Sequence, residues 1–114
     1  MAAIANLIID QGCTFSSNVS VKDGDGVAFN LTGYTVLAKM ALGFSSTRSR
    51  TTITSTVASD ATTGVITLTL TPAQTAVLDA PARYLYDIEI TLTSTGAVTR
   101  VIEGLITTRP QVSI

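Results

Sequence analysis

Few residues of this 114-residue chain could carry chemistry, and their spacing limits what that chemistry could be. Asp87 and Glu89 form the one carboxylate pair with a geometry worth testing for glycosidase-type acid/base work. They stand two apart in an alternating run, with Arg83 and Arg100 near by, and so read as cross-strand charge pairs on the outside of a strand. Asp23-Gly24-Asp25-Gly26 begins like a calcium loop but lacks the later oxygen ligands and the closing glutamate, which leaves a tight turn. Cys13 is the single cysteine and the chain has no histidine, so Ser/His and Cys/His nucleophiles are excluded. With no partner base or zinc co-ligand, Cys13 reads as a small buried or half-buried hydrophobe. Gly24, Gly26 and Gly33 form no phosphate-binding pattern. Arg48 and Arg50 are the only cations close together; on their serine-rich loop they read as a contact for an acidic partner or as a solvated tip. No enzyme, no metal and no cofactor is expected.

The elements that would position these residues are strands. From Tyr84 to Leu92 the chain alternates strictly: Tyr84, Tyr86, Ile88, Ile90 and Leu92 on one side, Leu85, Asp87, Glu89 and Thr91 on the other. After a turn at Ser94-Thr95-Gly96-Ala97, residues Val98 to Thr108 repeat the pattern with Val98, Ile102 and Ile106 inward, closing a long hairpin. Upstream, Asn6–Asp10 reads as a short strand. Thr14–Val21 places Phe15, Val19 and Val21 on one face. Gln11-Gly12 between them reads as the kink that lets the chain change sheets. Thr35–Ala41 buries Val36, Ala38 and Met40 and turns Leu37 and Lys39 outward. Thr51–Ala58 and Val65–Leu70 complete the set. Thr71 caps, and Pro72 opens, one short helical turn over residues 72–78. Seven to eight short strands with turns every 8–14 residues indicate an all-β immunoglobulin-like antiparallel sandwich, a partly open barrel being the structural alternative.

Composition narrows the role. Charged residues are 13% of the chain, about half the usual share, while serine and threonine make up about a quarter. The net charge is −1 and the mean hydropathy +0.44. Such a surface repels neighbours weakly and points toward packing in an assembly. The cations are scattered, which argues against nucleic-acid binding. No apolar run reaches the ~18–20 residues of a membrane helix, and the N-terminus lacks a basic n-region, so a soluble chain used without export is expected. One domain over residues 1–114 is expected, with residues 1–10 either a strand of it or an arm reaching a neighbour.

The order Ala5-Asn6-Leu7-Ile8-Ile9-Asp10-Gln11-Gly12, Leu31-Thr32-Gly33-Tyr34, Leu70-Thr71-Pro72-Ala73-Gln74-Thr75, Tyr84-Leu85-Tyr86-Asp87-Ile88-Glu89-Ile90 and Val101-Ile102-Glu103-Gly104 covers nearly the whole chain. It resembles a small immunoglobulin-like module of tailed-bacteriophage virion proteins, the family typified by the N-terminal domain of baseplate upper proteins. Asn30 departs from the aspartate common before Leu31-Thr32-Gly33-Tyr34, and a chain without a fibre or coiled-coil extension after Ile114 is expected. The resemblance implies a virion structural protein joining subunits in a tail, baseplate or neck, with a capsid decoration protein as the close variant. A carbohydrate- or receptor-binding adhesion module is the reading from another class. Partners would be other virion structural proteins or further copies in a homo-oligomer or symmetric array, with neither nucleic acid nor membrane. Leu37 and Leu85, outward in the strand register, Phe44 on the long polar loop, and Arg48 and Arg50 are the candidate interface residues.

Overall fold

A computed structural model describes residues 3–23, 25–42 and 50–112, and among them period-two alternation builds eight strands. They are β1 (Ala3–Ile4), β2 (Leu7–Asp10), β3 (Phe15–Ser20), β4 (Tyr34–Ala41), β5 (Thr51–Val57), β6 (Val65–Leu70), β7 (Ala82–Leu92) and β8 (Val98–Arg109). The chain is all-β, and its strands form one sheet curled into a half-barrel in the order β1-β8-β7-β4-β5-β6-β3, with β2 also on β8. Strand β5 makes the curl. Its first residues, Thr51 to Ile53, pair with β4, and its last, Thr54 to Val57, pair with β6.

The two walls follow the immunoglobulin allocation, in which the second, fourth and fifth strands share one layer and the third, sixth and seventh the other. Here β3 and β6 fall in the first group and β4, β7 and β8 in the second, but β5 pairs with both β4 and β6. The expected two-sheet sandwich is instead one continuous sheet curled into a half-barrel, nearer the partly open barrel alternative. Strands β1 and β2 lie on β8 and run parallel to it, so the sheet is mixed rather than wholly antiparallel. Residues 3–10 thus pair within their own chain. Gln11-Gly12 then carries the chain to the other layer, with Gly12 at φ +79°. The Gln11 amide fastens this crossing, donating to Leu78 O at 3.1 Å and accepting from Gln111 N at 3.1 Å.

The core lies between the walls where the alternation places it. Phe15 and Val19 of β3, Ile66, Leu68 and Leu70 of β6, and Tyr84, Tyr86, Ile88 and Ile90 of β7 are buried together. The corner before β4 is an Asx turn: Asn30 Oδ1 accepts from Thr32 N at 3.0 Å, and Gly33 takes φ +81°. That turn needs a side-chain carbonyl-type oxygen, which asparagine supplies as well as aspartate. The helical turn α1 (Pro72–Ala76) ends two residues earlier than the expected 72–78. It carries a full capping box: Gln74 N donates to Thr71 Oγ1, and Thr71 N to Gln74 Oε1.

Two further expectations are corrected. Cys13 is exposed, because it sits in the β2–β3 turn, where its N–H donates to Asp10 O and its carbonyl accepts from Thr75 Oγ1. Val98 is 59% exposed, although Ile102 and Ile106 are buried. A bulge at Val101, between the pairs Ile88–Ile102 and Glu89–Arg100, adds one residue to β8. One extra residue inverts which side chains face inward, so Val98 lands outward, opposite Thr91.

Ile88 is wholly buried on the central strand β7, flanked by Ala38 and Ile102. The variant Ile88→Asp strands a charge there, at a cost comparable to the whole stability of such a domain, and is expected to give no cooperative thermal transition by circular dichroism. Thr71→Ala is expected to lower stability by about 1 kcal/mol in urea denaturation.

Candidate interface on the outer face of the hairpin

The outward residues of β4, β7 and β8 line up in three rows across the sheet. Ala41, Leu85 and Leu105 form an apolar row; Lys39, Asp87 and Glu103 a charged one; Leu37, Glu89 and Arg100 a mixed one. Ile4 of β1 extends the charged row beside Glu103, and Asn6 lies next to Leu105. Together with Ile4, Asn6 and Arg50, these rows line a concavity of about 670 Å³. Leu37 and Ile4 are 44% and 75% exposed, so the face presents aliphatic carbon to solvent at both sides of a charged centre.

The electrostatics are balanced. The chain holds 7 basic and 8 acidic residues, and three of each line this one concavity: Lys39, Arg50 and Arg100 with Asp87, Glu89 and Glu103. Arg100 Nε lies 3.2 Å from Asp87 Oδ2, and its Nη1 lies 3.2 Å from Glu103 Oε2. The Asp87 pairing across the hairpin is therefore as the alternation implied, while Arg83 stands farther along, opposite Thr107. These ion pairs are solvent-accessible, so they contribute little to stability and chiefly set the pattern a partner would meet.

The N-terminal segment closes one side of the concavity through a close backbone approach. Tyr86 donates its hydroxyl to Ala5 O, Ala5 N donates to Glu103 O at 3.0 Å, and Leu105 N donates to Asn6 Oδ1 at 3.1 Å. A Cβ built at Gly104 would lie 2.2 Å from Ala5 O, so only glycine lets the two backbones meet here. Burial raises the Tyr86 hydroxyl from the ordinary 10.0 to about 12. At the far end of the same edge Arg109 Nη2 donates to Asp10 Oδ2 at 3.0 Å, and this contact holds the Asp10 carboxyl below its usual range.

Of the five expected interface residues, Leu37, Arg50 and Leu85 meet in this concavity, whereas Phe44 and Arg48 lie outside the described residues. Leu105, Ile4 and Glu103 were not anticipated. The inward phase of Ile102 and Ile106 already turns Glu103 and Leu105 outward, whereas the parallel pairing of β1 that sets Ile4 beside Glu103 leaves no local sequence signal. The other candidates take structural places. Asp23 Oδ1 accepts from Asp25 N and Val27 N at 2.9 and 3.0 Å, so that carboxylate is occupied in shaping its own turn. Among the described residues no group of three His, Cys, Asp or Glu could hold a metal ion, and no helix is long and apolar enough to cross a membrane. Tyr84 and Tyr86 are buried, and Tyr34 packs edge-on against Phe29 with ring centroids 5.5 Å apart. No protein-family model matches this chain, and no curated protein is similar to it in sequence.

Tyr86 should make the fold sensitive to alkali. Its proton is held more tightly in the folded than in the unfolded chain, so its contribution is complete below pH 10 and is lost as pH rises from 10 toward 12. Urea titrations are expected to show a fall of roughly 2 kcal/mol over that window, and Tyr86→Phe to flatten it. Gly104→Ala is expected to detach β1, seen as faster amide exchange at Ala5 and Leu105, while the β7 core stays protected.

Proposed function

We propose that this chain is a structural protein of a tailed-bacteriophage virion, holding neighbouring subunits together in a tail, baseplate or neck. The observation that carries the reading is the outer face of β4, β7 and β8, where exposed aliphatic side chains frame three acidic and three basic groups. A face of this kind, apolar at its margins and internally neutralised at its centre, suits protein contact better than binding of a highly charged ligand. The family resemblance in the order of the motifs supports the virion setting. The Asx turn at Asn30 is consistent with it, because the one departure in that motif keeps the oxygen the turn requires.

Mass spectrometry and electron microscopy of purified particles test the role directly. A copy number that is a small multiple of three or six, with density at the tail, baseplate or neck, is the expected result. Copies on the order of hundreds over the shell would move the role to capsid decoration, and absence from particles would end the virion reading. Leu37 is exposed, so Leu37→Asp is expected to leave the melting temperature of the purified protein nearly unchanged while reducing its incorporation into particles at least about tenfold. Undiminished incorporation would remove this face from the interface.

A further inference from the structure

Strand β3 is a sheet edge without the usual guards. It stands at the end of the strand order, and among the described residues it pairs with β6 alone. The Val21 N–H donates to Gly64 O at 2.8 Å, and this sets the parity of the ladder. In an antiparallel pair, alternate residues exchange both main-chain bonds with the neighbouring strand. Phe15, Ser17 and Val19 therefore turn N–H and C=O toward β6, while the Val21 carbonyl accepts from Phe29 N, and Ser16, Asn18 and Ser20 turn theirs away. Natural edges are blunted by charge, proline, bulges or brevity. β3 has neither charge nor proline, and its six residues pair with β6 without a register shift.

The edge formed by β2 is guarded by contrast. It is four residues long, carries the charged Asp10 locked to Arg109, and has the Asp10 carbonyl already taken by the Cys13 N–H. Between the two edges runs a slot of about 400 Å³, bounded by Asn6, Ile8 and Asp10 on one side and Thr14, Ser16 and Ser17 on the other. β2 and β3 are consecutive in the chain yet belong to different walls, so neither satisfies the other.

We propose that β3 pairs with β3 of a second copy of this chain, antiparallel about a two-fold axis through Asn18. Parity, polarity and charge select this occupant. With Asn18 opposite the partner's Asn18 and Ser16 opposite the partner's Ser20, every outward-turned N–H and C=O of the strand finds an acceptor or donor. The same register sets Phe15 across from the partner's Val21 and Ser17 across from the partner's Val19. The inward face, with Ser17 between Phe15 and Val19, then continues from one copy into the next, and the Ser16, Asn18 and Ser20 side chains stay together on the outer face. A homotypic contact sets each charge near its like, and β3 has no charge to repel. The two-fold closes the contact, giving a dimer rather than an open fibre. This contact deepens the assembly role proposed above and borrows only its setting from it, because it is a property of the purified chain and either can fail without the other.

Sedimentation equilibrium and amide exchange by NMR on the full chain test it. The expected mass at high concentration is twice 11.8 kDa. The amides of Ser16, Asn18 and Ser20 are expected to exchange at least about tenfold more slowly in the dimer than after dilution to monomer. Asn18→Pro removes an N–H that points away from β6, a substitution an edge strand tolerates, and is expected to give a folded monomer. Ser20→Pro is the second variant. A chain that is monomeric at all concentrations would overturn the proposal, as would a dimer in which these three amides still exchange freely, or one that survives either variant with its fold intact. Protection of β3 that requires an added peptide or another virion protein would overturn it too. If both proline variants unfold, the exchange of the wild-type amides decides alone.

Discussion

The pleat of β7 is the constraint on which the remaining structure depends. A strand in the middle of a sheet has two faces and no freedom to serve them independently, because successive side chains must point to opposite sides. Tyr84, Tyr86, Ile88 and Ile90 therefore enter the core only if Leu85, Asp87 and Glu89 leave it. Strands β4 and β8 are held to β7 by its two ladders of main-chain bonds and inherit that phase. The buried stripe and the outer concavity are two consequences of one register. A slip of a single residue would exchange them, drawing two carboxylates into the core.

A second constraint is the treatment of edges. An eight-stranded sheet that curls without closing leaves two rows of main-chain groups to be satisfied. At the β8 side the chain covers its own edge by laying β1 and β2 along it in parallel. The fit depends on Gly104, which admits the Ala5 carbonyl, and on Tyr86, whose hydroxyl meets that carbonyl from below. At the β3 side nothing comparable is present among the described residues. The difference is chemical as well as topological: Asp10 and Arg109 mark the covered side with charge, while β3 offers serine, asparagine and bare amide.

The distribution of charge follows from the same geometry. In sequence the ionisable residues look dispersed, and the chain as a whole is poor in them. Folding collects Lys39, Asp87, Glu89, Arg100 and Glu103 on one face, since outward positions on three adjacent strands fall into common rows, and the chain entering β5 adds Arg50 to the same concavity. Arg100 reaches both Asp87 and Glu103, so the acidic groups of the hairpin are partly neutralised from within the sheet. The surface left for contact is mixed rather than uniformly bland.

By itself the sequence determined what depends on neighbours a few residues away. Alternation on β3, β4, β6 and β7 assigned the core and turned Leu37 and Leu85 outward. Thr71-Pro72 marked the helical turn, and Gln11-Gly12 marked the crossing between layers. These are short-range properties, set by the pleat, by caps and by the backbone freedom of glycine. Tertiary structure alone decided the parallel placement of β1 and β2, the sharing of β5 between two walls, the exposure of Val98 and Cys13, and the gathering of Arg50 and Arg100 in one concavity. Each of these depends on which strands become neighbours, or on one inserted residue at Val101. Main-chain pairing between distant segments leaves no periodic trace in either partner, because every residue offers the same amide and carbonyl whatever its side chain.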